Sequence, residues 1–226
     1  MRAPGRRPLV VLFDVFETCL QLDALRPRFV DIGRPPGELD LCFARLLHPG
    51  MALTLAGAAP PFAADAADML RRTSGAGLGD DEVAHVLAGF RELPVHPDVE
   101  PALTLLADAG VPAHAFTHGS AEVAAAALTA AGVGGLLAGV HSAEELHSFK
   151  PPARVYEWVC ARVGSAPDRT ALVAVHSWDT HGAVAAGLLG GLCLRLEGRV
   201  PDTVTPPHVV ADQLDEVVAG LLALPA

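Results

Sequence analysis

The chain contains five short apolar runs, each long enough to form one buried strand. These runs cover residues 8–13, 111–117, 170–177, 191–196 and 208–211. Strands that are apolar on both faces are typical of parallel sheets covered by helices on each side. Segments with helical character separate the runs, among them 120–132, which begins at a serine N-cap and ends at a glycine. The pattern predicts an α/β fold with a parallel sheet flanked by helices.

One long segment between the first two runs interrupts this alternation. It has no convincing strand, and stretches with helical character follow one another along it. A further helical stretch, 97–109, then returns the chain to the sheet. We therefore predict a core formed by residues 1–21 and 95–226, and a helical subdomain formed by residues 22–94.

Composition limits the classes of function that the chain can serve. With 51% hydrophobic and 19% charged residues, its 226 residues can bury a sizeable core. A net charge of −10 disfavours nucleic acid and anionic membranes as partners, without excluding a small anionic substrate. The apolar run behind the basic segment 1–8 is too short for a signal peptide or a membrane span. The four cysteines form no CxxC pair, which favours free thiols and a cytoplasmic location.

Polar side chains follow three of the predicted strands at the point where each strand ends. Ligands bind at the carboxyl ends of the strands in open α/β sheets, so we expect these side chains to share one rim. The residues at these strand ends, most of them polar, are Asp14, Phe16, Glu17 and Thr18 after the first strand, Thr117 to Ser120 after the second, and His176, Ser177, Asp179, Thr180 and His181 after the third. The segment "HSFKPPARVY" adds Lys150 and Tyr156 to the candidates.

Three of these residues have both a chemical and an ordinary structural interpretation. Asp14 has the position of a nucleophile that forms a covalent ester, although an aspartate there is also a common helix cap or loop residue. Lys150 is suited to keep such an acid ionised, although most lysines are solvated surface residues. Thr117 and the amides that follow it form either an anion cradle at a helix N-terminus or a plain N-cap.

The histidines of these loops do not have the spacing of a metal site. No HxxxH pair lies on a predicted helix, and His176 and His181 stand on either side of a strand-to-helix turn. We therefore predict no metal site, and interpret His118, His176 and His181 as residues that line the site or stabilise the fold.

Four motifs together resemble one enzyme superfamily. "LFDVFETCL", "FTHGS", "FKPPARVY" and "VHSWDTHGA" have the order and spacing of the motifs of the haloacid dehalogenase superfamily. The chain most resembles the L-2-haloacid dehalogenase (type II) branch, from about residue 8 to residue 223. This resemblance implies a Rossmann-like core, with residues 22–94 in the place of the helical cap of that branch. Helical caps of this branch often join dimers, so the resemblance also implies a homodimer.

The resemblance assigns a role to each matching residue. The implied catalytic residues are Asp14, Thr18, Thr117, Lys150 and Asp179. The implied substrate-binding residues are Val15, Phe16, Arg45, His118, Gly119, Tyr156 and His176. Asp14 is expected to attack the halogen-bearing carbon of a short 2-halo acid. Water that Asp179 and Lys150 position or activate is then expected to hydrolyse the ester.

Phe16 separates this chemistry from the phosphatases of the same superfamily. The first motif of those enzymes has the pattern DxD, in which the second Asp moves a proton and helps to hold Mg²⁺. Phe16 stands at that position here and does neither. The neighbouring Glu17 is a poor substitute, because adjacent side chains of an extended segment point to opposite sides. The sequence thus favours attack on carbon without a metal cofactor.

Other departures from the branch keep two alternative functions open. His118 stands where typical members have Asn, while Ala174 and His176 replace Ser and Asn. The cap arginine that holds the departing halide has no secure match, and Arg45 is the candidate nearest to that position. The alternatives are a Mg²⁺-dependent phosphatase acting on a small phosphate ester, and a repurposed member with lost or non-hydrolytic chemistry.

Overall fold

The computed structural model describes residues 5–57, 59–75 and 77–226. Expectations for residues 1–4, which belong to the predicted core and to the basic segment, lie outside the described residues. Six described strands form one parallel sheet in the order β3-β2-β1-β4-β5-β6. The strands are β1 Val10–Phe13, β2 Ala113–Thr117, β3 Gly139–Ser142, β4 Thr170–Ala174, β5 Leu189–Cys193 and β6 Val209–Ala211.

The described helices fall into a group between β1 and β2 and a group that covers the sheet. The first group is α1 Arg26–Asp31, α2 Glu38–Leu55, α3 Phe62–Thr73 and α4 Asp80–Ala88. The second is α5 Val99–Asp108, α6 Ala121–Ala130, α7 Ala153–Val163, α8 Ser177–Ala185 and α9 Leu214–Leu222. The prediction of a parallel α/β sheet flanked by helices is thereby confirmed. No helix among the described residues is long and apolar enough to cross a membrane.

Local sequence signals explain where α6 begins and where α7 ends. The Ser120 side chain accepts a hydrogen bond from the backbone N–H of Val123 at the start of α6. Gly164 ends α7 with a φ of 66°, a left-handed conformation that glycine adopts without strain.

The sequence pattern did not predict β3, and it predicted the start of β5 two residues too late. The edge strand β3 has three half-buried residues out of four, so it lacks a continuous apolar run. The fifth strand begins at Leu189 and includes Gly190 and Gly191, which weaken a strand signal. A Cβ at Gly191 would lie 2.5 Å from Cγ1 of Val217, so the glycine lets α9 pack closely on the sheet.

The side chains of β1 divide the interior into two clusters. Val11 and Phe13 belong to the larger cluster, which includes residues of α5, α9 and the helices that follow β1. Val10 and Leu12 belong to the smaller cluster, on the α7 side of the sheet. Adjacent residues of a strand point to opposite faces, so both faces of β1 are buried, as its apolar run predicts.

The strand order places the end of β1 at the point where the chain changes direction across the sheet. After β1, the chain forms β2 and β3 on one side and β4, β5 and β6 on the other. Ligands of open α/β sheets bind outside the carboxyl ends of the strands at such a point. The residues that follow β1 and β4 therefore occupy the favoured position for a site.

Helices α1–α4 form the inserted helical part of the chain. Its two connections to the core run side by side: Gln21 donates from its backbone N–H to the Pro94 carbonyl at 2.8 Å, and Leu20 pairs with Val95. Helices α2 and α3 pack on each other. The assignment of residues 22–94 as the extent of this subdomain stays a prediction.

Candidate active site

Asp14 is the first residue after β1, and both of its carboxylate oxygens have partners. Its backbone N–H donates to the Val173 carbonyl at 3.0 Å, which fixes it beside β4. Oδ1 accepts from Lys150 Nζ at 2.8 Å, and Oδ2 accepts from the Thr18 hydroxyl at 2.7 Å. Burial alone raises the pKa of Asp14, but Lys150 and His176 outweigh it and hold that pKa well below its usual range. A buried, ionised carboxylate results.

Lys150 is fully buried and lies between two carboxylates. Its ammonium donates to Asp14 Oδ1 at 2.8 Å, to Asp179 Oδ2 at 2.6 Å and to the Phe116 carbonyl at 3.3 Å. Burial lowers the pKa of Lys150, but the charges of the two carboxylates prevail and raise it. The side chain is therefore a fixed cation.

Asp179, near the start of α8, has both carboxylate oxygens occupied. Oδ2 accepts from Lys150, and Oδ1 accepts from the Tyr156 hydroxyl at 2.6 Å. Burial and the charge of Asp14 raise the pKa of Asp179. Burial and the adjacent carboxylate of Asp179 also raise the pKa of Tyr156 well above its usual value, so its hydroxyl remains a donor. This arrangement holds Lys150 in place from the side opposite Asp14.

Thr18 connects two loops at the rim, whereas Thr117 bonds within the loop after β2. Thr18 Oγ1 donates to Asp14 and accepts from the backbone N–H of Val175 at 3.1 Å, so it joins the loops after β1 and β4. Thr117 is fully buried, and its Oγ1 accepts from the backbone N–H of Gly119 at 3.1 Å.

His176 and Glu17 form a second ion pair beside the nucleophile candidate. His176 Nε2 lies 2.8 Å from Glu17 Oε2, and its Nδ1 lies 3.5 Å from Asp14 Oδ2. Burial lowers the pKa of His176, but hydrogen bonding to Asp14 and Glu17 and their charges raise it to about 10. The ring is therefore an imidazolium near neutral pH.

Sequence reasoning missed Glu17 because it assumed an extended chain after Asp14. Glu17 has a φ of 66°, outside the extended region, and its side chain reaches His176. An acid next to an aromatic residue in the first motif, with histidine in the fourth, is the sequence signal that could have revealed this pair.

A small cavity lies against Asp14 and is mostly apolar. Its volume is about 10 Å³, room for about one water molecule. Helix α2 contributes Phe43 and Leu47 to the wall, and Phe62 stacks on Phe16 with ring centroids 5.7 Å apart. The full lining is Asp14, Phe16, Phe43, Leu47, Phe62, His118, His176 and Trp178.

His118 faces this cavity as a neutral imidazole. Its ring lies 4.9 Å from that of Phe149 and 5.6 Å from that of Trp178. Burial holds the pKa of His118 well below its usual value, and neither ring nitrogen has a hydrogen-bond partner among the described residues. An incoming polar group would find an unused donor and an unused acceptor there.

Three of the expected substrate-binding residues have other surroundings. The Val15 side chain is buried in the core. Gly119 leaves room for aromatic rings, since a Cβ there would lie 3.0 Å from Phe16. The structure does not bring Arg45 to Asp14: it is exposed and lines another pocket, with Met69 and Arg72. Residues two positions apart lie on different faces of a helix, so when Phe43 faces the cavity Arg45 does not.

The remaining predicted residues apart from Thr117 meet at one point, and the catalytic role predicted for Thr117 stays a prediction. Asp14, Thr18, Lys150, Tyr156, Asp179 and His176 are joined by the contacts above, and Phe16 and His118 line the cavity. Among the described residues, His, Cys, Asp and Glu side chains form no group of three or more that could hold a metal ion.

Comparison with known proteins identifies the family. The family model described as haloacid dehalogenase-like hydrolase matches residues 10–187, well over half of the chain. The chain belongs to the haloacid dehalogenase-like hydrolases. The superfamily that the four motifs predicted is thereby confirmed, and with it the assignment as a hydrolase.

Two curated relatives and one solved structure belong to the expected branch. The chain is 29% identical to (S)-2-haloacid dehalogenase 1 of Pseudomonas sp. (strain CBS-3) over 181 residues, 78% of this chain and 80% of that protein. It is 32% identical to (S)-2-haloacid dehalogenase 4A of Burkholderia cepacia over 98 residues, 43% of this chain and 42% of that protein. The fold resembles L-2-haloacid dehalogenase from Xanthobacter autotrophicus with chloropropionic acid covalently bound (TM-score 0.86, 19% identity, 94% and 97% coverage).

Proposed function

We propose that this hydrolase removes halide from a short 2-haloalkanoic acid through an ester of Asp14. The supporting observation is one ionised, buried carboxylate whose neighbours hold it against an apolar cavity. A carboxylate removed from water is a stronger nucleophile, and an apolar wall suits the carbon skeleton of the substrate. The names of both curated relatives specify an (S)-2-halo acid, so the same substrate class is proposed here.

The first step is displacement at carbon. Asp14 Oδ2 attacks the carbon that carries the halogen, the oxygen–carbon bond forms, and the halide leaves with the bonding electron pair. Lys150 stays on Oδ1 and Thr18 orients Oδ2, so the carboxylate is held in one orientation for the attack.

The second step is hydrolysis of the ester. Water attacks the carboxyl carbon of Asp14, and Lys150 on Oδ1 stabilises the negative charge that develops on that oxygen. Asp179 holds Lys150 in position for this role. The 2-hydroxy acid then leaves, and the Asp14 carboxylate is restored.

Phe16 supports attack on carbon rather than on phosphorus. Its ring packs against Phe62 and Phe90, with centroids 5.7 and 5.2 Å away, and forms part of the cavity wall. A hydrocarbon side chain neither moves a proton to a leaving group nor binds Mg²⁺. The proposed reaction therefore uses no metal cofactor.

The test is to follow halide and phosphate release in parallel, with EDTA or with Mg²⁺. We expect halide release from (S)-2-chloropropionate in EDTA, no release by Asp14→Asn or Asp14→Ala, and a mass increase on the Asp14 peptide in the wild type. Asp108→Asn, an exposed site on α5, is the matched control and should retain activity. Full turnover by Asp14→Ala, or Mg²⁺-dependent phosphate release instead of halide release, would refute the proposal.

We also propose a homodimer formed through the outer face of α2. Leu41 and Leu55 stand two heptads apart on that helix and are 45% and 84% exposed. Residues at this spacing share one side of a helix, so both leucines present apolar surface on that side. Light scattering should give twice the mass of one chain for the wild type and the mass of one chain for Leu55→Glu.

We further propose a cytoplasmic location. The support is that Cys19, Cys42, Cys160 and Cys193 are all free and buried, as suits a reducing compartment. Cell fractionation that recovers the protein outside the cytoplasmic fraction would contradict this proposal.

A further inference from the structure

A line of polar atoms leads from Asp14 to a second pocket that is open to solvent. His176 Nδ1 lies 3.5 Å from Asp14 Oδ2, and His176 Nε2 lies 2.8 Å from Glu17 Oε2. Glu17 also lines an open surface pocket of about 290 Å³, together with Gln21, His96 and others. Its side chain is 23% exposed, whereas that of His176 is 9% exposed. Glu17 thus stands between His176, which lines the small cavity, and the pocket that is open to water.

Glu17 holds this place at the cost of backbone strain. Its φ of 66° is a conformation that residues other than glycine seldom adopt, and its backbone N–H is fixed by a hydrogen bond to the Leu20 carbonyl at 3.0 Å. Such strain is concentrated at functional sites, because the surrounding structure must impose it. The carboxylate of Glu17 is therefore a candidate for a role that glycine would not fulfil.

We propose that His176 accepts a proton from the hydrolytic water and that Glu17 passes the proton of His176 on to solvent. This inference rests on the proposed function and assigns the proton path of that reaction. His176 is the group that contacts the reacting carboxylate, and Glu17 acts through it as a positioning and relay residue.

The protons and charges of the cycle balance with this path. Formation of the ester neutralises Asp14, so His176 keeps only Glu17 as a charged partner. One ring proton leaves through Glu17, and the remaining ring proton is held on Nε2 by Glu17, so Nδ1 becomes a free acceptor. Neutral His176 then takes one proton from the water that attacks the Asp14 carboxyl carbon. The bond to the alkoxide breaks, the alkoxide takes the second proton of that water, and Asp14 becomes a carboxylate again. Each turnover consumes one water and releases one halide, one proton and one hydroxy acid.

The other ionisable groups near the cavity are less suited to this role. Both oxygens of Asp179 are occupied, and Asp179 and Lys150 are fully buried. His118 is packed between Phe149 and Trp178. His176 Nδ1, in contrast, has no other hydrogen-bond partner among the described residues, and its Nε2 is already oriented by Glu17.

Rapid mixing separates the two chemical steps and so tests the relay. In Glu17→Gln, ester formation should persist, with a burst of about one halide per active site, whereas steady-state turnover should fall by at least about tenfold. Glu17→Asp should recover part of the loss. Glu17→Gly, which suits the backbone conformation and removes the carboxylate, should fold normally and show the same burst. Glu100→Gln, an exposed site on α5, is the control and should match the wild type.

The pH profile gives a second measurement. The charged or titratable groups that face His176 are Asp14, Glu17, His118 and, beyond Asp14, Lys150. Glu17 raises the pKa of His176, and the relay needs neutral His176 during ester hydrolysis. The relay therefore predicts that the acidic limb of ester hydrolysis moves to lower pH in Glu17→Gln, while the pH profile of the burst does not change.

Each outcome decides between distinct conclusions. Unchanged turnover in Glu17→Gln and Glu17→Gly, or an equal loss in the burst and the steady state, would overturn the relay and leave the proposed function standing. A wild-type protein that releases no halide and forms no ester on Asp14 would instead overturn the proposed function, and the relay with it.

Discussion

At the scale of single residues, the centre of the molecule is a lysine shared between two carboxylates. Lys150 bonds Asp14 at 2.8 Å and Asp179 at 2.6 Å, and all three side chains are buried. Charges removed from water are costly unless each has a partner, so the three depend on one another. The same contact that keeps Asp14 ionised for chemistry therefore also stabilises the fold.

Substitution Lys150→Met tests this dependence. Two buried carboxylates would lose their cation, so we expect the free energy of unfolding to fall by about 3–5 kcal/mol and activity to disappear. Urea denaturation at pH 7 measures the change. The deficit should shrink at lower pH, where the carboxyls become protonated; Arg71→Met, on the exposed side of α3, is the control. Unaltered stability would contradict the argument.

The residue scale also shows how far sequence reasoning reaches. Asp14, Lys150 and Asp179 were predictable because their motifs have a fixed order and spacing. The surroundings of Arg45 and Glu17 were not predictable, since they depend on which face α2 presents and on one left-handed backbone angle. Such features arise from tertiary packing and leave little trace in a local pattern.

At the scale of elements, α2 holds the loop that carries Lys150. Thr54 Oγ1 accepts from the backbone N–H of Phe149 at 2.8 Å, and the Phe149 ring occupies the space beside Gly50. A Cβ at Gly50 would lie 2.5 Å from that ring. The inserted helices therefore help to position Phe149, the residue next to Lys150.

Substitution Gly50→Val should disturb this contact. We expect the ring of Phe149 to shift and Lys150 to move with it, and turnover to fall by about 100-fold, since displacements of about 1 Å have such effects. Steady-state kinetics and thermal unfolding measure the two consequences. Gly37→Val is the matched control, because nothing lies within 4 Å of a Cβ there. Equal activity of the two variants would refute the proposed link.

Element prediction succeeded where local signals were complete and failed where packing decided. Helix α6 has its capping serine and α7 its terminal glycine, so both were recognisable. Strand β3 was not, because an edge strand needs neither continuous apolar residues nor alternation when its neighbour supplies most of its contacts. Strand pairing depends on two segments of the chain, so the local pattern of one segment does not predict it.

At the scale of the whole molecule, the structure describes a narrow site. The cavity of about 10 Å³ against Asp14 has no room for a haloalkanoic acid. The walls come from α2, α3 and the strand-end loops, so entry of substrate requires the helices and the core to move apart. Closure then excludes water from the first step.

The stability of the whole molecule should depend on pH through His176. The pKa of His176 is raised to about 10 in the folded state, against about 6.5 for a free histidine. Its contribution is therefore complete below about pH 6.5 and is lost as the pH rises through about 10, a change of the order of a few kcal/mol. The difference in unfolding free energy between wild type and His176→Asn should shrink over that range; His48→Asn, an exposed residue of α2, should show no such trend.

Lys150 is the only lysine in the chain, since every other basic residue except histidine is arginine. The amino terminus aside, a reagent specific for primary amines therefore has a single target, and that target is fully buried. Mass spectrometry after brief labelling would count one modified amine in the folded molecule and two once unfolding frees Lys150 from Asp14 and Asp179. The protein thus carries an intrinsic reporter of its own unfolding, which needs neither a mutation nor an attached probe.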